Sequence, residues 1–186
     1  GVYTVNTHKR TINFHNKVNL EIRSPDLFFC DTLSNVLANI HDVTLGKNLI
    51  TLDYYEIGTC DYIPSKIKIK MLSPLVVYHS FENKTYYHDP LDEDYAGYIN
   101  RNFIKKFLAV FGEMPPSSIK LTPLAIGLKD KYVTTFKRNT YITGWKGIYL
   151  LEGDPECLKY VYECGLGSKN SQGFGMFEII SEVTTH

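Results

Sequence analysis

Alternation of apolar and polar residues opens this chain. Val18, Leu20 and Ile22 interleave with Asn19, Glu21 and Arg23, the period of a half-buried strand. Two shorter strands precede it, over 2–6 and 11–15, on either side of the polar turn Thr7-His8-Lys9-Arg10. The period then becomes helical at Leu33, Val36, Leu37 and Ile40. Ser24 is the predicted N-cap, and Pro25 sits at the first helical position, where a missing N–H costs nothing. Gly46-Lys47-Asn48 turns the chain into a strand over 49–57, and 58–65 reads as a linker.

The second half repeats the theme at greater length. A long alternating strand is expected over 67–78 with Pro74 inside it, which predicts an edge or a bulge. Glu82-Asn83-Lys84 makes a hairpin turn into 85–88. Residues 92–111 read as a helix, with acids at the start, Lys105 and Lys106 later, and Gly112 beyond the end. Strands follow over 119–128, 133–137, 141–143 and 148–151, then a helix over 155–164 and a last strand over 174–180. The order β-α-β-β-α-β with one extra hairpin is the ferredoxin-like order. The first half carries only part of it, lacking one β-α unit at its start. The expected architecture is therefore α+β, with two tandem ferredoxin-like (RRM-like) domains. A partial domain spans 1–58, a linker 59–65 and a complete domain 66–186. A partner chain, a domain swap or an N-terminal piece could fill the gap. The first residue is not Met, so a fragment or processed chain is expected.

Between the last helix and the last strand lies Gly165-Leu166-Gly167-Ser168-Lys169-Asn170-Ser171-Gln172-Gly173-Phe174-Gly175. Glycine permits positive φ and close backbone approach. Successive exposed N–H groups can form an anion-binding concavity, and Lys169 adds a charge. The plainer reading is a turn that closes the helix, with Gly165 as its cap. Known nucleotide loops do not fit. A Walker loop puts its lysine at the start of a helix, whereas Lys169 lies inside the loop and a strand follows. A dinucleotide fingerprint would need its third glycine where Asn170 stands.

This string is very similar to the C-terminal signature of the Cas six family, the CRISPR repeat-RNA endoribonucleases. Leu72-Ser73-Pro74-Leu75-Val76-Val77-Tyr78 resembles the strand that opens that family's second half. Asp92-Glu93-Asp94-Tyr95, Gly144-Trp145-Lys146-Gly147 and Gly153-Asp154-Pro155 follow in the family's order, so the resemblance runs from about residue 18 to about residue 180. It implies two tandem ferredoxin-like domains and metal-independent cleavage of precursor CRISPR RNA. A base would take the 2′-OH proton, leaving 2′,3′-cyclic phosphate and 5′-OH ends. A noncatalytic RNA-binding scaffold subunit of a CRISPR ribonucleoprotein is the alternative. In many members the catalytic histidine and its supporting lysine sit in or just after the first helix. Those positions would precede Gly1, so the resemblance assigns no catalytic residue here.

Composition narrows the rest. Twenty basic and 20 acidic residues balance, which argues against indiscriminate polyanion binding. From 118 to 149, however, Lys120, Lys129, Lys131, Lys137, Arg138 and Lys146 face only Asp130. That basic hairpin suits a local RNA contact, with Tyr132, Phe136 or Tyr141 available to stack on bases. The RNA-binding candidates are thus Lys129, Lys131, Lys137 and Arg138 with Gly165, Gly167, Ser168, Lys169, Asn170, Ser171, Gln172, Gly173, Phe174 and Gly175. Of six histidines, His8 lies in the turn beside Lys9 and Arg10, a place where a phosphate could be met, and is the one catalytic candidate, with an exposed turn residue as the plainer reading. His15 and His41 read as surface or strand-end residues, His79 and His88 as local packing with Tyr86 and Tyr87, and His186 is terminal. Asp92, Glu93 and Asp94 read as helix-dipole complements. Cys30, Cys60, Cys157 and Cys164 form no C-x-x-C, so reduced thiols and no metal are expected. No cofactor is expected. The expected partners are CRISPR repeat RNA, with effector-complex subunits or a second copy left open. No membrane span or signal peptide is read, and a prokaryotic cytoplasm is the expected compartment.

Overall fold

A computed structural model describes residues 3–9, 11–15, 17–137 and 140–183, and of Lys137 the backbone alone. Three helices and twelve strands are distributed very unevenly between exposed and buried surroundings. The core is a four-stranded antiparallel sheet in the order β12(Phe177–Glu182), β5(Lys66–Met71), β11(Ile148–Glu152), β8(Lys120–Ala125). Counting only these strands in chain order, the sequence across the sheet is fourth, first, third, second, which is the ferredoxin-like arrangement.

Period-two alternation makes the sheet two-faced. Ile67, Ile69 and Met71 of β5 join Leu121, Tyr149, Leu151 and Phe177 on the buried side. On the other side Lys66 pairs with Glu152 at 3.0 Å and Lys70 with Glu178 at 3.1 Å, each across a register pair. Helix α2(Tyr95–Phe111) covers the apolar face with Tyr95, Ile99, Phe103 and Phe107, a repeat of four that keeps one stripe inward. It stops at Gly112, which adopts φ +75°. Helix α3(Pro155–Cys164) adds Cys157, Leu158, Tyr160 and Val161 to the same core. Its N-cap is Asp154, whose carboxylate accepts from the Glu156 N–H. Phe107, Phe111 and Tyr160 close the far end edge to face.

The expected strand over 67–78 is broken. β5 ends at Met71, and residues 72–77 run as an irregular strap before β6(Tyr78–Phe81) begins. Pro74 brings no N–H to a ladder, and the strap makes only one isolated bridge, Leu75 with Trp145. β6 pairs with β7(Lys84–Tyr87) through a turn in which Glu82 and Asn83 both have positive φ, 48° and 62°. A second hairpin, β9(Lys131–Lys137) with β10(Thr140–Trp145), stands apart from the main sheet.

The first half differs from expectation at several points. β1(Tyr3–Asn6) and β2(Thr11–Phe14) form a hairpin, but the alternating residues 18–22 have no regular structure. α1(Leu27–Ala38) starts two residues later than predicted. Asp26 is the N-cap, bonded to the Phe29 N–H, while Ser24 Oγ accepts from Asp26 N–H instead. β3(Asp42–Leu45), unforeseen, pairs with β4(Asn48–Thr51), and the chain leaves the strand at Leu52. α1 and these four strands contain no buried residue; Phe28 is 79% exposed. Alternation at 18–22 therefore has no ladder to enter. Arg23 ties this half to the core: its guanidinium donates to Phe177 O at 2.8 Å and lies 3.9 Å from the Tyr162 ring.

The contrast predicts where stability resides. Ile69→Ala should lower the unfolding free energy by roughly 2–4 kcal/mol in a denaturant titration. Ile12→Ala, at an exposed site, should stay within about 0.5 kcal/mol. Burial also raises the pKa of Tyr95, Tyr149 and Tyr160 above the ordinary 10.0. The folded protein then holds protons that the unfolded chain releases, so stability should be full below pH 10.0 and fall above it. Tyr149→Phe should flatten that alkaline loss in pH-jump unfolding.

Candidate nucleic-acid interface

The strap and the glycine-rich loop are built as one unit. Gly175 N–H donates to Pro74 O at 3.0 Å, Ser168 N–H to Val76 O at 2.8 Å, and Met176 N–H to Ser73 Oγ at 2.9 Å. Leu72 and Ser73 both donate to Met176 O. On its other side the strap pairs with the second hairpin, Leu75 and Trp145 exchanging bonds of 2.8 and 2.9 Å. Gly144 is needed for that approach, because a Cβ there would lie 3.0 Å from Pro74 and Val76 side chains. The stretches 72–78, 144–147 and 165–175, far apart in sequence, thus meet along one line.

Two loop glycines are required by contact. A Cβ on Gly167 would stand 2.5 Å from Val76 O, and one on Gly175 would stand 2.0 Å from Leu166 O. Both residues have positive φ. Gly173 also has φ +85°, yet nothing lies within 4 Å of its Cβ position. With Ser171 and Gln172 it forms the exposed lip of the loop. Lys169 is left-handed too, at φ 63°, an uncommon state for a residue with a side chain. Its ammonium sits 5.0 Å from the Tyr78 ring.

A partly buried lysine holds the loop from below. Lys106 Nζ donates to Gly165 O at 2.6 Å and to Asn170 Oδ1 at 3.0 Å. Asn170 Nδ2 donates in turn to Leu166 O and Phe174 O, at 2.9 and 3.0 Å. The whole Asn170 amide is spent inside the loop. Burial lowers the Lys106 pKa and raises that of the neighbouring Cys164 thiol. The amides of Leu166, Ser168, Gln172, Gly173 and Gly175 also donate to carbonyls within the protein. The loop is therefore not an unbroken row of exposed N–H groups. Its positive character comes from side chains around it.

Those side chains line a cleft of about 350 Å³ beside the loop. β6 supplies Tyr78, His79 and Ser80, α2 supplies Tyr98, Arg101, Asn102 and Lys105, and Gly167 and Ser168 form the loop side. Asn102 Nδ2 donates to Ser168 Oγ at 3.0 Å and joins the walls. Arg101 stacks on Tyr98, 4.2 Å from the ring centre. Sequence reasoning assigned none of these α2 residues. Their spacing of three and four marks one helical face, but Lys105 and Lys106 had been absorbed as ordinary charges late in a helix. One of the two is in the cleft and the other lies beneath the loop, partly buried.

The remaining candidates are more scattered. Lys131 Nζ lies 5.5 Å from the Trp145 ring, at the foot of the hairpin joined to the strap. Lys129 is exposed in the short turn before β9. The side chain of Lys137, Arg138 and His186 lie outside the described residues. Tyr132 and Tyr141 are exposed on the hairpin, as is Phe136. His8 is exposed in the first turn and shares a shallow depression with Thr4, Asn6 and Asn13; none of these is a strap, loop or cleft residue. No group of three His, Cys, Asp or Glu side chains could hold a metal ion among the described residues. No helix among them is long and apolar enough to cross a membrane.

Steric and electrostatic roles can be separated by substitution. Gly175→Ala should destabilise the fold by several kcal/mol or prevent it, since the backbone must move. Gly173→Ala should cost only the left-handed penalty, about 1 kcal/mol. Lys106→Met should cost about 1–3 kcal/mol by leaving Asn170 Oδ1 unpaired and Gly165 O with only the weak Cys164 thiol donor. Thermal unfolding of the three variants checks the ranking.

Comparison with known proteins agrees with this geometry. Residues 59–179 match the family described as CRISPR associated protein Cas6, C-terminal. The CRISPR-associated endoribonuclease Cas6 of Pyrococcus furiosus is 31% identical over 114 residues, which cover 61% of this chain and 42% of that protein. The CRISPR-associated endoribonuclease Cas6 2 of Methanocaldococcus jannaschii is 28% identical over 180 residues, 87% of this chain and 72% of the relative. Matches to other curated Cas6 proteins likewise span less than half of their length. Among solved structures, a CRISPR associated protein Cas6 superposes with TM-score 0.71 at 24% identity, covering 86% of this chain and 66% of the other. A RAMP protein described as binding different RNA substrates gives 0.69 at 18%, covering 97% and 76%. With the family match spanning the strap, the cleft and the glycine loop, this chain belongs to the Cas6 family of CRISPR-associated proteins.

Proposed function

We propose that this chain is the RNA-holding part of a CRISPR endoribonuclease, with CRISPR repeat RNA as its ligand. The observation that carries the reading is the braced loop. Lys106 and the strap fix a glycine-rich lip whose residues Ser171 to Gly173 are exposed, with open space around the Gly173 Cβ position, beside a cleft carrying Arg101 and Lys105. The absence of a side chain at Gly173 lets a sugar-phosphate backbone come close to the lip at that point. Lys169, Arg101 and Lys105 then meet phosphates as point charges, and exposed Tyr132 and Tyr141 offer stacking surfaces. The curated relatives are named as endoribonucleases, and the same cleavage is the proposal for the protein this chain represents.

The chemistry proposed for that protein is attack of a 2′-OH on the adjacent phosphate. The O2′–P bond forms as the P–O5′ bond breaks, the 2′-OH proton passes to a base, and the departing O5′ takes a proton from an acid or from water. The products carry a 2′,3′-cyclic phosphate and a 5′-OH. The part fitted to this chain is electrostatic: its cations favour the charge that develops on phosphate oxygens.

One gel tests the reading: the purified chain incubated with end-labelled repeat RNA in EDTA. A shifted band is expected. A single cut ending in a cyclic phosphate would place a sufficient base within these residues, and an unshifted, uncut RNA would sink the proposal. Binding should weaken steeply with salt, because each neutralised phosphate releases counterions. Gly173→Val should reduce RNA affinity about tenfold or more while changing thermal stability little more than Gly173→Ala does. Equal stability losses without a binding difference would contradict the lip's role.

A further inference from the structure

The cleft contains a feature that the loop and its cations do not explain. His79 Nδ1 and His88 Nε2 share a hydrogen bond of 2.8 Å. The outer nitrogen of His88, Nδ1, lies 3.7 Å from Asp92 Oδ2. The line Asp92–His88–His79 therefore runs from the turn before α2 toward β6, where His79 lines the cleft beside Arg101 and Lys105. With Nδ1 committed to His88, Nε2 is the His79 nitrogen left for a ligand.

The pair is held by more than this bond. His79 stacks on Tyr86 at 5.2 Å and on Tyr98 at 5.5 Å, and His88 stacks on Tyr98 at 3.9 Å. His88 N–H donates to Val77 O, fixing β7 to the strap's end. Packing alone would be served by any flat ring. Two imidazoles placed nitrogen to nitrogen need one proton between them, and they can accept a second.

Where that second proton's charge goes follows from the surroundings. Burial, and then the neighbouring His79, push His88 below the ordinary histidine value, while Asp92 and more weakly Asp94 pull it upward. The groups facing the pair are Tyr86 from β7, Tyr98 from α2, Asp92 from the turn before α2, and Tyr78 beside His79 on β6. Arg101 and Lys105 carry fixed positive charge in the cleft, Lys169 stands over Tyr78, and no carboxylate is among the lining residues. Asp92 lies behind His88, on the far side of the pair from His79, so the cleft itself presents Arg101, Lys105 and the His79 ring with no lining carboxylate, which suits a phosphate group.

We propose that the cleft between β6 and α2 is a phosphodiester subsite in which His79, oriented by His88 and Asp92, contacts an RNA phosphate in a proton-dependent way. This rests on the RNA reading above. A phosphate stabilises the protonated pair, so binding takes up a proton and affinity rises as pH falls through the histidine range. His88 and Asp92 act as positioning residues.

The test is RNA affinity by fluorescence anisotropy, with a labelled single-stranded RNA at fixed ionic strength, between about pH 8 and about pH 6. The wild-type chain should tighten roughly five- to tenfold across that range, the scale of one added charge near a phosphate. His79→Phe keeps the ring stack and should bind with a flat profile. His88→Phe, which removes the nitrogen that holds His79 Nδ1, should weaken the pH dependence. If wild type and His79→Phe change in parallel, the subsite is wrong and the RNA reading stands. If wild type binds no RNA at any pH, the RNA reading falls and the subsite with it. As a measurement free of variants, adding RNA to the wild-type chain should move the His79 imidazole resonances in the NMR spectrum. RNA bound with those resonances unmoved would overturn the proposal.

Discussion

The strap from Leu72 to Val77 is the constraint on which the site depends. Ser73 and Pro74 take these residues out of the β5 ladder, and the freed backbone groups are satisfied elsewhere. Pro74 O and Val76 O accept from the glycine loop, while Leu75 bonds both ways with Trp145. Buried backbone polar groups must find partners. One irregular segment thereby joins the sheet edge, the basic hairpin and the loop. The glycines at 144, 167 and 175 follow from this, since each sits where a Cβ would strike the strap or the loop's own backbone.

Lys106 completes the arrangement from within. Taking a lysine ammonium partly out of water is costly unless it is well bonded, and here it finds a helix-end carbonyl and the Asn170 amide oxygen. The loop conformation is thereby linked to the α2 stripe that packs the core. The next residue, Lys105, points to the cleft instead. Adjacent positions on a helix face about 100° apart, so one lysine became structure and its neighbour became surface charge.

The two halves of the chain are held by different means. The second half has a single apolar cluster from Ile63 to Phe177. The first half presents its apolar side chains outward and meets the core through Arg23, whose guanidinium bonds a β12 carbonyl and covers Tyr162. Leu33, Val36, Leu37 and Ile40 have helical spacing, yet Val36 is exposed and the other three are only half-buried, so the periodic pattern made a helix there without making a core.

Much of this molecule was legible in the sequence for a local reason. α3, the C-cap glycines at 112 and 165, the Glu82-Asn83 turn and the ferredoxin-like order rest on period, capping and turn chemistry, which act within a few residues. The glycine-rich string also marked the loop as a candidate site. What sequence did not determine was which groups face which. Residues 18–22 alternate but found no neighbouring strand, and Pro74 ended β5 early because a better set of partners lay across the fold. Asn170 sat in an apparently ligand-facing loop, yet its amide is consumed by Lys106 and two carbonyls. His79 and His88 are nine residues apart, and only the hairpin brings their rings together, only α2 adds Arg101, and only the strap sets both beside Gly167. Side-chain period records which face a residue occupies; long-range backbone hydrogen bonds decide what stands opposite.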